Sequence, residues 1–414
     1  MKFFVVVLSV LLSIGSPLFS WSQAADPALR QAQVDVVYLS SDLLEGREAG
    51  TVGERMAADY IAARFAEIGL KPAGSKGSWY NDFNFKYQTN PHGGGESEAR
   101  QGINVVGYID NKAKTTVVLG AHYDHLGYGN FGSRHTGDPA IHNGADDNAS
   151  GVAGLLLLAD HLKNNSKARK NNYLFVAFSA EELGLIGSKV FASDSLLFDR
   201  TRTNYMLNMD MIGRLNAERV LAVNGAGTSP LWKEVLQTIN TGGITVKTSD
   251  SGVGPSDHTS FYLQDLPVLH FFTGQHEDYH KPEDDAERIN FQGIKDITDL
   301  MIRLIEQLDS KGKLPFTKTK DEDQGRRAAA FKVSLGVMPD YVYDGEGMRV
   351  DGVTDGRPAQ IAGVQKGDIL IGIGDIPIKD IYDYMEGLAK FKKGDKSTVK
   401  IKRGDQILEF PVEF

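Results

Sequence analysis

The 414-residue chain contains no cysteine. That absence removes disulfides, thiolate zinc sites, iron–sulfur clusters, a cysteine nucleophile and a lipid-anchoring cysteine together. Any metal must be held by His, Asp and Glu. A basic surface is also missing: 45 Lys and Arg stand against 54 Asp and Glu, giving a formal net charge of -9 and a pI of about 5.6. This argues against a nucleic-acid binder, which needs cations to replace counterions. Long apolar runs are scarce as well. Residues 3–12 form one, too short for a bilayer core of about 30 Å, which takes ~20 residues, and no later stretch reaches that length. With 41% hydrophobic and 24% charged residues, the chain is neither wholly disordered nor a polytopic membrane protein. Its length implies two or three domains.

Lys2, the apolar run, Gly15, Pro17 and small residues up to Ala24 and Ala25 form a secretory signal-peptide pattern. Residues 1–24 are expected to be removed after Ala24. Lacking a cysteine for lipidation, the mature protein is expected in the periplasm or outside the cell, with no stable membrane anchor.

Residues 39–70 read as a helix pair around Gly46 and Gly53, the second helix carried by Ala57, Ala58, Ile61, Ala62, Phe65 and Ile68 and stopped by Gly69. Residues 71–100 read as a Gly- and Asn-rich loop with scattered aromatics. From Ile103 the pattern becomes strand, loop, helix. Strands are predicted at 103–109, 117–121, 173–179, 205–210, 220–223 and 267–272, and helices at 150–162, 182–193, 230–239 and 293–308. Continuous apolar strands alternating with helices predict an α/β fold with a mostly parallel, doubly covered sheet, spanning 25–308. Residues 309–330 read as a linker or docking segment, and 331–414 as a small β-rich domain.

Ligands in such sheets bind beyond the carboxyl ends of strands, and five polar segments stand there. His122 and Asp124 follow the strand 117–121; an acid two positions on can orient an imidazole. Asp146 and Asp147 open a helix among small residues. Glu181 and Glu182 leave a very apolar strand, where unpaired charge is costly. Asp210 is an acid inside an apolar stretch, where such residues are rare without a partner. Tyr279 and His280 follow the last strand. Two imidazoles and three carboxylates at separate strand ends have the composition of a two-metal hydrolytic site, with a further free carboxylate available as general base.

These segments, in this order, resemble the secreted co-catalytic zinc aminopeptidase family, metallopeptidase family twenty-eight, whose relatives include glutamate carboxypeptidases and glutaminyl cyclases. The resemblance covers roughly residues 39–308. It implies a zinc exopeptidase (phosphorylase/hydrolase-like) fold and two Zn2+ ions acting on peptide or protein substrates. His122 and Asp210 would be terminal ligands of different ions, Asp147 the bridging carboxylate, and Glu182 and His280 the remaining ligands. Glu181 would be the general base, Asp124 the partner of His122, and Tyr279 the phenol that stabilises the oxyanion. Residues 71–100 are too short for the protease-associated domain that many members insert. Of the other histidines, His125, His142 and His276 are candidates for the pocket, His258 for either the pocket or a structural role, whereas His270 reads as structural.

The glycine spacing of residues 127–132 imitates a dinucleotide fingerprint, but no helix starts there, so it reads as a loop. Residues 331–414 are similar to a PDZ domain of the bacterial protease type, through Ser334–Val337 and Pro358–Leu370. Such a module can add an extended peptide as a strand, with the amides near Leu335, Gly336 and Val337 cradling its terminal carboxylate. Two other readings remain open: a carboxypeptidase or amidohydrolase on the same scaffold, for which Arg214 is the candidate carboxylate grip, and a non-catalytic binding protein.

Overall fold

The computed structural model describes residues 26–87, 98–319, 333–340, 343, 345–353 and 356–414. The expected leader, residues 1–24, lies outside the described residues, as do 320–330 of the expected linker and 331, 332, 341, 342, 344, 354 and 355 of the expected β-rich domain. Helix α1 spans Pro27–Leu39 and starts where the Asp26 carboxylate accepts the Ala28 amide. Helix α2 spans Val52–Ile68, with Thr51 accepting the Glu54 amide at one end and Gly69, at φ 87°, closing the other. The expected helix pair therefore begins earlier than residue 39, with a 3-10 turn, Asp42–Arg47, between its members.

Nine strands make the first sheet: β1 (Lys71–Pro72), β2 (Tyr80–Tyr87), β3 (Glu98–Ile109), β4 (Thr115–His122), β5 (Asn171–Phe178), β6 (Thr203–Met209), β7 (Val220–Asn224), β8 (Thr245–Ser249) and β9 (Val268–Phe272). Their order is β1-β3-β5-β4-β6-β9-β7-β8, with β2 also on β3. The centre, β5-β4-β6-β9, is parallel, while β3 on β5 and β7 on β9 are antiparallel. Parallel alignment puts the carboxyl ends of the four central strands on one side, with His122 level with Phe178.

Every residue of β5 is buried. Tyr173, Phe175 and Ala177 face one core, together with Val36 of α1 and Phe65 of α2. Leu174, Val176 and Phe178 face the other. Helices α3 (Gly151–Asn164), α5 (Pro230–Thr238) and α7 (Phe291–Leu308) join the first core; α4 (Ile186–Ser193) and α6 (His258–Tyr262) join the second through Phe191 and Phe261. The sheet is thus covered on both faces.

Three strands were not expected: the two-residue β1, β2 and β8. β2 lies in the segment read as a loop; it buries Asn81, Phe83, Phe85 and Tyr87 alternately, and polar residues between them mask the period of two. β8 is short and mostly exposed. Asp309–Thr319 packs on this first unit: Asp309 accepts the Lys170 amide, Leu314 enters the core, and the Thr317 amide bonds to the Thr228 carbonyl.

The second sheet is antiparallel throughout, with β10 (Val337–Pro339), β11 (Met348–Val353), β12 (Ile369–Ile373), β14 (Lys396–Arg403) and β15 (Gln406–Glu413) in that order, and β13 (Ile376–Pro377) beside β12. Helix α8 (Pro358–Ala362) is closed by Gly363, and α9 (Ile381–Ala389) contributes Leu388 to a core of Leu335, Val350, Leu370, Val399 and Ile401.

Candidate metal centre

His122 ends β4 and Asp210 follows β6, each on the backbone of a buried strand. Glu181 and Glu182 sit in the turn after β5, with their amides donated to the Asp124 carboxylate at 3.1 and 3.4 Å. Asp147 sits in the wide turn Ala145–Ser150 that leads into α3. Asp284 accepts the amides of Asp146 and Asp147, both at 3.0 Å, and Asn148 donates to the Met209 carbonyl and accepts the Met211 amide. The loop is thereby laced to β6. Gly144 is required here: at φ 57°, an added Cβ would stand 2.2 Å from the Asp147 carbonyl oxygen.

The side chains converge from these separate supports. His122 Nε2 lies 3.3 Å from Asp147 Oδ1 and 3.4 Å from Asp210 Oδ1. His280 Nε2 lies 3.2 Å from Asp147 Oδ2 and 3.2 Å from Glu182 Oε2. The two oxygens of Asp147 therefore face two different imidazoles. Donor atoms ~2.0–2.2 Å from one tetrahedral ion stand roughly 3.3–3.6 Å apart, so these separations fit atoms that share a cation. An all-N,O donor set also suits zinc.

His125 competes for the place of His280, since its ligating atom also falls within 4.8 Å of those of Asp147 and Glu182. Its Nδ1 is 2.8 Å from Glu182 Oε1 but 3.9 Å from Asp147 Oδ2. The shorter contact is a hydrogen bond, so His125 orients Glu182. His280 instead turns Nδ1 to the Gly132 carbonyl at 3.0 Å, which leaves Nε2 free as a donor atom. The glycine-rich segment 127–132 is a loop, and it holds this ring.

Asp124 lies close to His122: its carboxylate is 3.7 Å and its carbonyl oxygen 3.2 Å from Nδ1. Tyr279 stacks on His280 with ring centroids 3.8 Å apart and lines the same cavity as Glu181 and the five ligand candidates. His142 accepts or donates at Ser133 Oγ, His258 is buried beside His270, and His276 reaches Asp146 at 3.2 Å. His270, read from sequence as structural, lines the cavity.

The charges agree with the geometry. Burial opposes ionisation of Asp147, yet hydrogen bonds with His122 and His280 hold it well below the usual carboxylate range. Burial likewise opposes a charged Glu182, but His280 brings it to about 2. Burial lowers His280, and the Glu182 carboxylate over-rides this and lifts it to about 10. Glu181 moves the other way: burial drives it well above its ordinary value, against the pull of His122 and with the push of Asp257 and Asp210. Carboxylates outnumber imidazoles in this buried space, a charge balance that a divalent cation would offset.

One supporting residue had no sequence signal. Arg47 is fully buried and donates to the carbonyls of Leu39, Tyr123, Asn143 and Gly144, tying the His122–His125 loop to the loop that carries Asp147. Arg214, the candidate carboxylate grip, is engaged by Asp278 at 3.0 Å and Asp284 at 3.2 Å.

A helix-covered mixed sheet with ligating side chains at its carboxyl edge is the architecture of zinc exopeptidases. The fold matches a zinc aminopeptidase from Bacillus subtilis, 19% identical, over 69% of this chain and 95% of that one at TM-score 0.52. It also matches a glutaminyl cyclase from Bacteroides thetaiotaomicron, 17% identical, over 67% and 97% at TM-score 0.53. Residues 104–305 match the model described as Peptidase family M28 and residues 318–414 that described as PDZ domain, so the chain carries a peptidase family M28 domain followed by a PDZ domain. Among curated proteins, aminopeptidase YwaD of Bacillus subtilis is 28% identical over 186 residues, covering 43% of this chain and 40% of that protein. Leupeptin-inactivating enzyme 1 of Streptomyces exfoliatus is 29% identical over 145 residues, covering 35% and 32%. The chain thus spans less than half the length of these two relatives.

No described helix is long and apolar enough to cross a membrane.

Proposed function

We propose that this protein is an exported two-metal aminopeptidase that removes the first residue from peptides with a free N-terminus. The observation that carries the reading is Asp147, whose Oδ1 stands 3.3 Å from His122 and whose Oδ2 stands 3.2 Å from His280. On this reading His122 and Asp210 would hold one zinc ion, Glu182 and His280 the other, and Asp147 would serve both. When bound, the pair supplies Lewis acidity that polarises the scissile carbonyl and acidifies water. Asp124 positions His122 and, through two amide hydrogen bonds, the Glu181–Glu182 turn.

Glu181 takes the proton of the attacking water and returns it to the leaving amine, a task for which a buried carboxylate of raised basicity is suited. Tyr279 supports the developing oxyanion from the cavity wall. The free α-amine is held by Glu181 and Asp210. A carboxypeptidase needs a cation for the substrate carboxylate. Among the described residues no Lys or Arg lines the cavity, and Arg214 is already engaged.

The curated relative named an aminopeptidase supports the same reading. The leader pattern supports export to the periplasm or exterior; the mature catalytic residues are 25–308, the segment 309–330 docks on them through 309–319, and the PDZ-like unit 331–414 takes an extended peptide end at Leu335–Val337. The test is a metal count per chain beside turnover of leucine p-nitroanilide and its N-blocked counterpart, with and without chelator. Two ions, a free-amine requirement and chelator sensitivity are expected. Equal turnover of the blocked substrate would overturn the aminopeptidase assignment.

A further inference from the structure

The cavity has a polar wall that the chemistry does not use. The register of β6, β9 and β7 places Asn208, His270 and Asn224 side by side. His270 is 2% exposed, and its ring stacks on His258 with centroids 4.6 Å apart and planes 13° from parallel. Asn224 donates to His270 Nδ1 at 3.4 Å. An accepting Nδ1 leaves the proton on Nε2. Among the described residues, that Nε2–H is buried without a hydrogen-bond partner, and so is Oε1 of Gln275. Both residues line the cavity that contains Glu181 and the ligand candidates.

Buried polar atoms are almost always paired. A donor on His270 and an acceptor on Gln275, both left over among the residues that line the cavity, therefore mark a place where something else supplies the partners. Met211 and Phe272 add apolar surface to the same cavity. The carboxylates that line it all belong to the ligand and base cluster, so a cationic side chain finds no further counter-charge there.

Resting on the aminopeptidase reading, we propose that this wall is the subsite for the side chain of the substrate's first residue. It selects a neutral side chain with both an acceptor and a donor, a carboxamide or a hydroxyl. His270 Nε2–H donates to the side-chain oxygen, and Gln275 Oε1 accepts its N–H or O–H. An aliphatic side chain of equal size leaves both wall atoms unanswered, and such a mismatch in a site built for hydrogen bonds discriminates strongly.

The experiment uses the metal-loaded enzyme and measures kcat/KM for glutamine, asparagine, serine and leucine p-nitroanilides. In parallel, calorimetry measures the binding of free L-glutamine and L-leucine. Wild type is expected to favour the glutamine substrate over the leucine one by about tenfold or more. His270→Phe, which keeps a ring stacked on His258, and Gln275→Leu, at a partly exposed wall position, are each expected to move that ratio toward leucine by about 10–100-fold. A wild-type preference for leucine, or a ratio unchanged in both variants, overturns the subsite; the wall atoms are then paired only by water. If no p-nitroanilide is cleaved, the aminopeptidase reading fails by itself. The calorimetric ratio then decides the subsite: tighter glutamine binding that is lost in the variants supports it, and equal or weaker glutamine binding overturns it.

Discussion

Replacing Asp147 with Asn changes one atom of the carboxylate from an oxygen ligand to an amide nitrogen and removes one negative charge from a point facing both imidazoles. His122 contacts one oxygen at 3.3 Å and His280 the other at 3.2 Å, so neither half of the site is spared. A unit charge about 3 Å from a cation interacts by several kcal/mol even at an effective dielectric of about 20. Partners one layer further from a metal already cost 10–100-fold in affinity when removed. The expected loss is therefore at least ~100-fold at each site, and the two sites should fail together. Asp210, which faces His122 at 3.4 Å, provides the control: Asp210→Asn should release one ion well before the other. Dialysis against graded chelator buffers, followed by elemental analysis, reads both variants. Two ions retained at wild-type affinity in Asp147→Asn would refute the shared-carboxylate reasoning.

Glu181→Gln is expected to keep both ions and lose about 10²–10⁴-fold in kcat, the range for a general base; turnover at the wild-type rate would remove Glu181 from that role. Arg47→Met takes a donor from four buried carbonyls, of which Gly144 keeps the Ala149 amide, and should lower stability by about 2–4 kcal/mol, and an unchanged denaturation midpoint would show that water replaces the guanidinium. Burial raises the Glu54 carboxyl to about 7 from 4.5. The protonated form is the one the fold prefers, so its contribution is full below pH 4.5 and is lost as pH rises through 7. Relative to Glu54→Gln, wild type should lose roughly 3 kcal/mol across that window in denaturant titrations; a difference constant with pH contradicts the assignment.

The alternation of buried strands and helices was legible because each element carries its own local period. β5 is apolar on both faces, and α7 repeats at helical spacing. The candidate ligands were legible for a related reason: polar residues that interrupt apolar runs at strand ends, such as Glu181 after Phe178 and Asp210 after Met209, stand out against the core that precedes them. β2 was not legible, since Asn, Asp and Lys alternate with its buried aromatics and the run resembles a loop. His270 was misread because nothing in a strand's own sequence says that its exposed neighbour is a cavity.

The sequence alone thus determined the residue types, their order and the strand ends that carry them, since these depend on neighbours a few positions away. The tertiary structure decided which atoms meet. That Asp147 faces two imidazoles, that His280 stands 3.2 Å from both Asp147 and Glu182 while His125 hydrogen-bonds Glu182, and that Arg47 braces two loops all depend on register between segments far apart in the chain. Distances of that kind are set by the packing of the whole sheet and its helices, which no local pattern encodes.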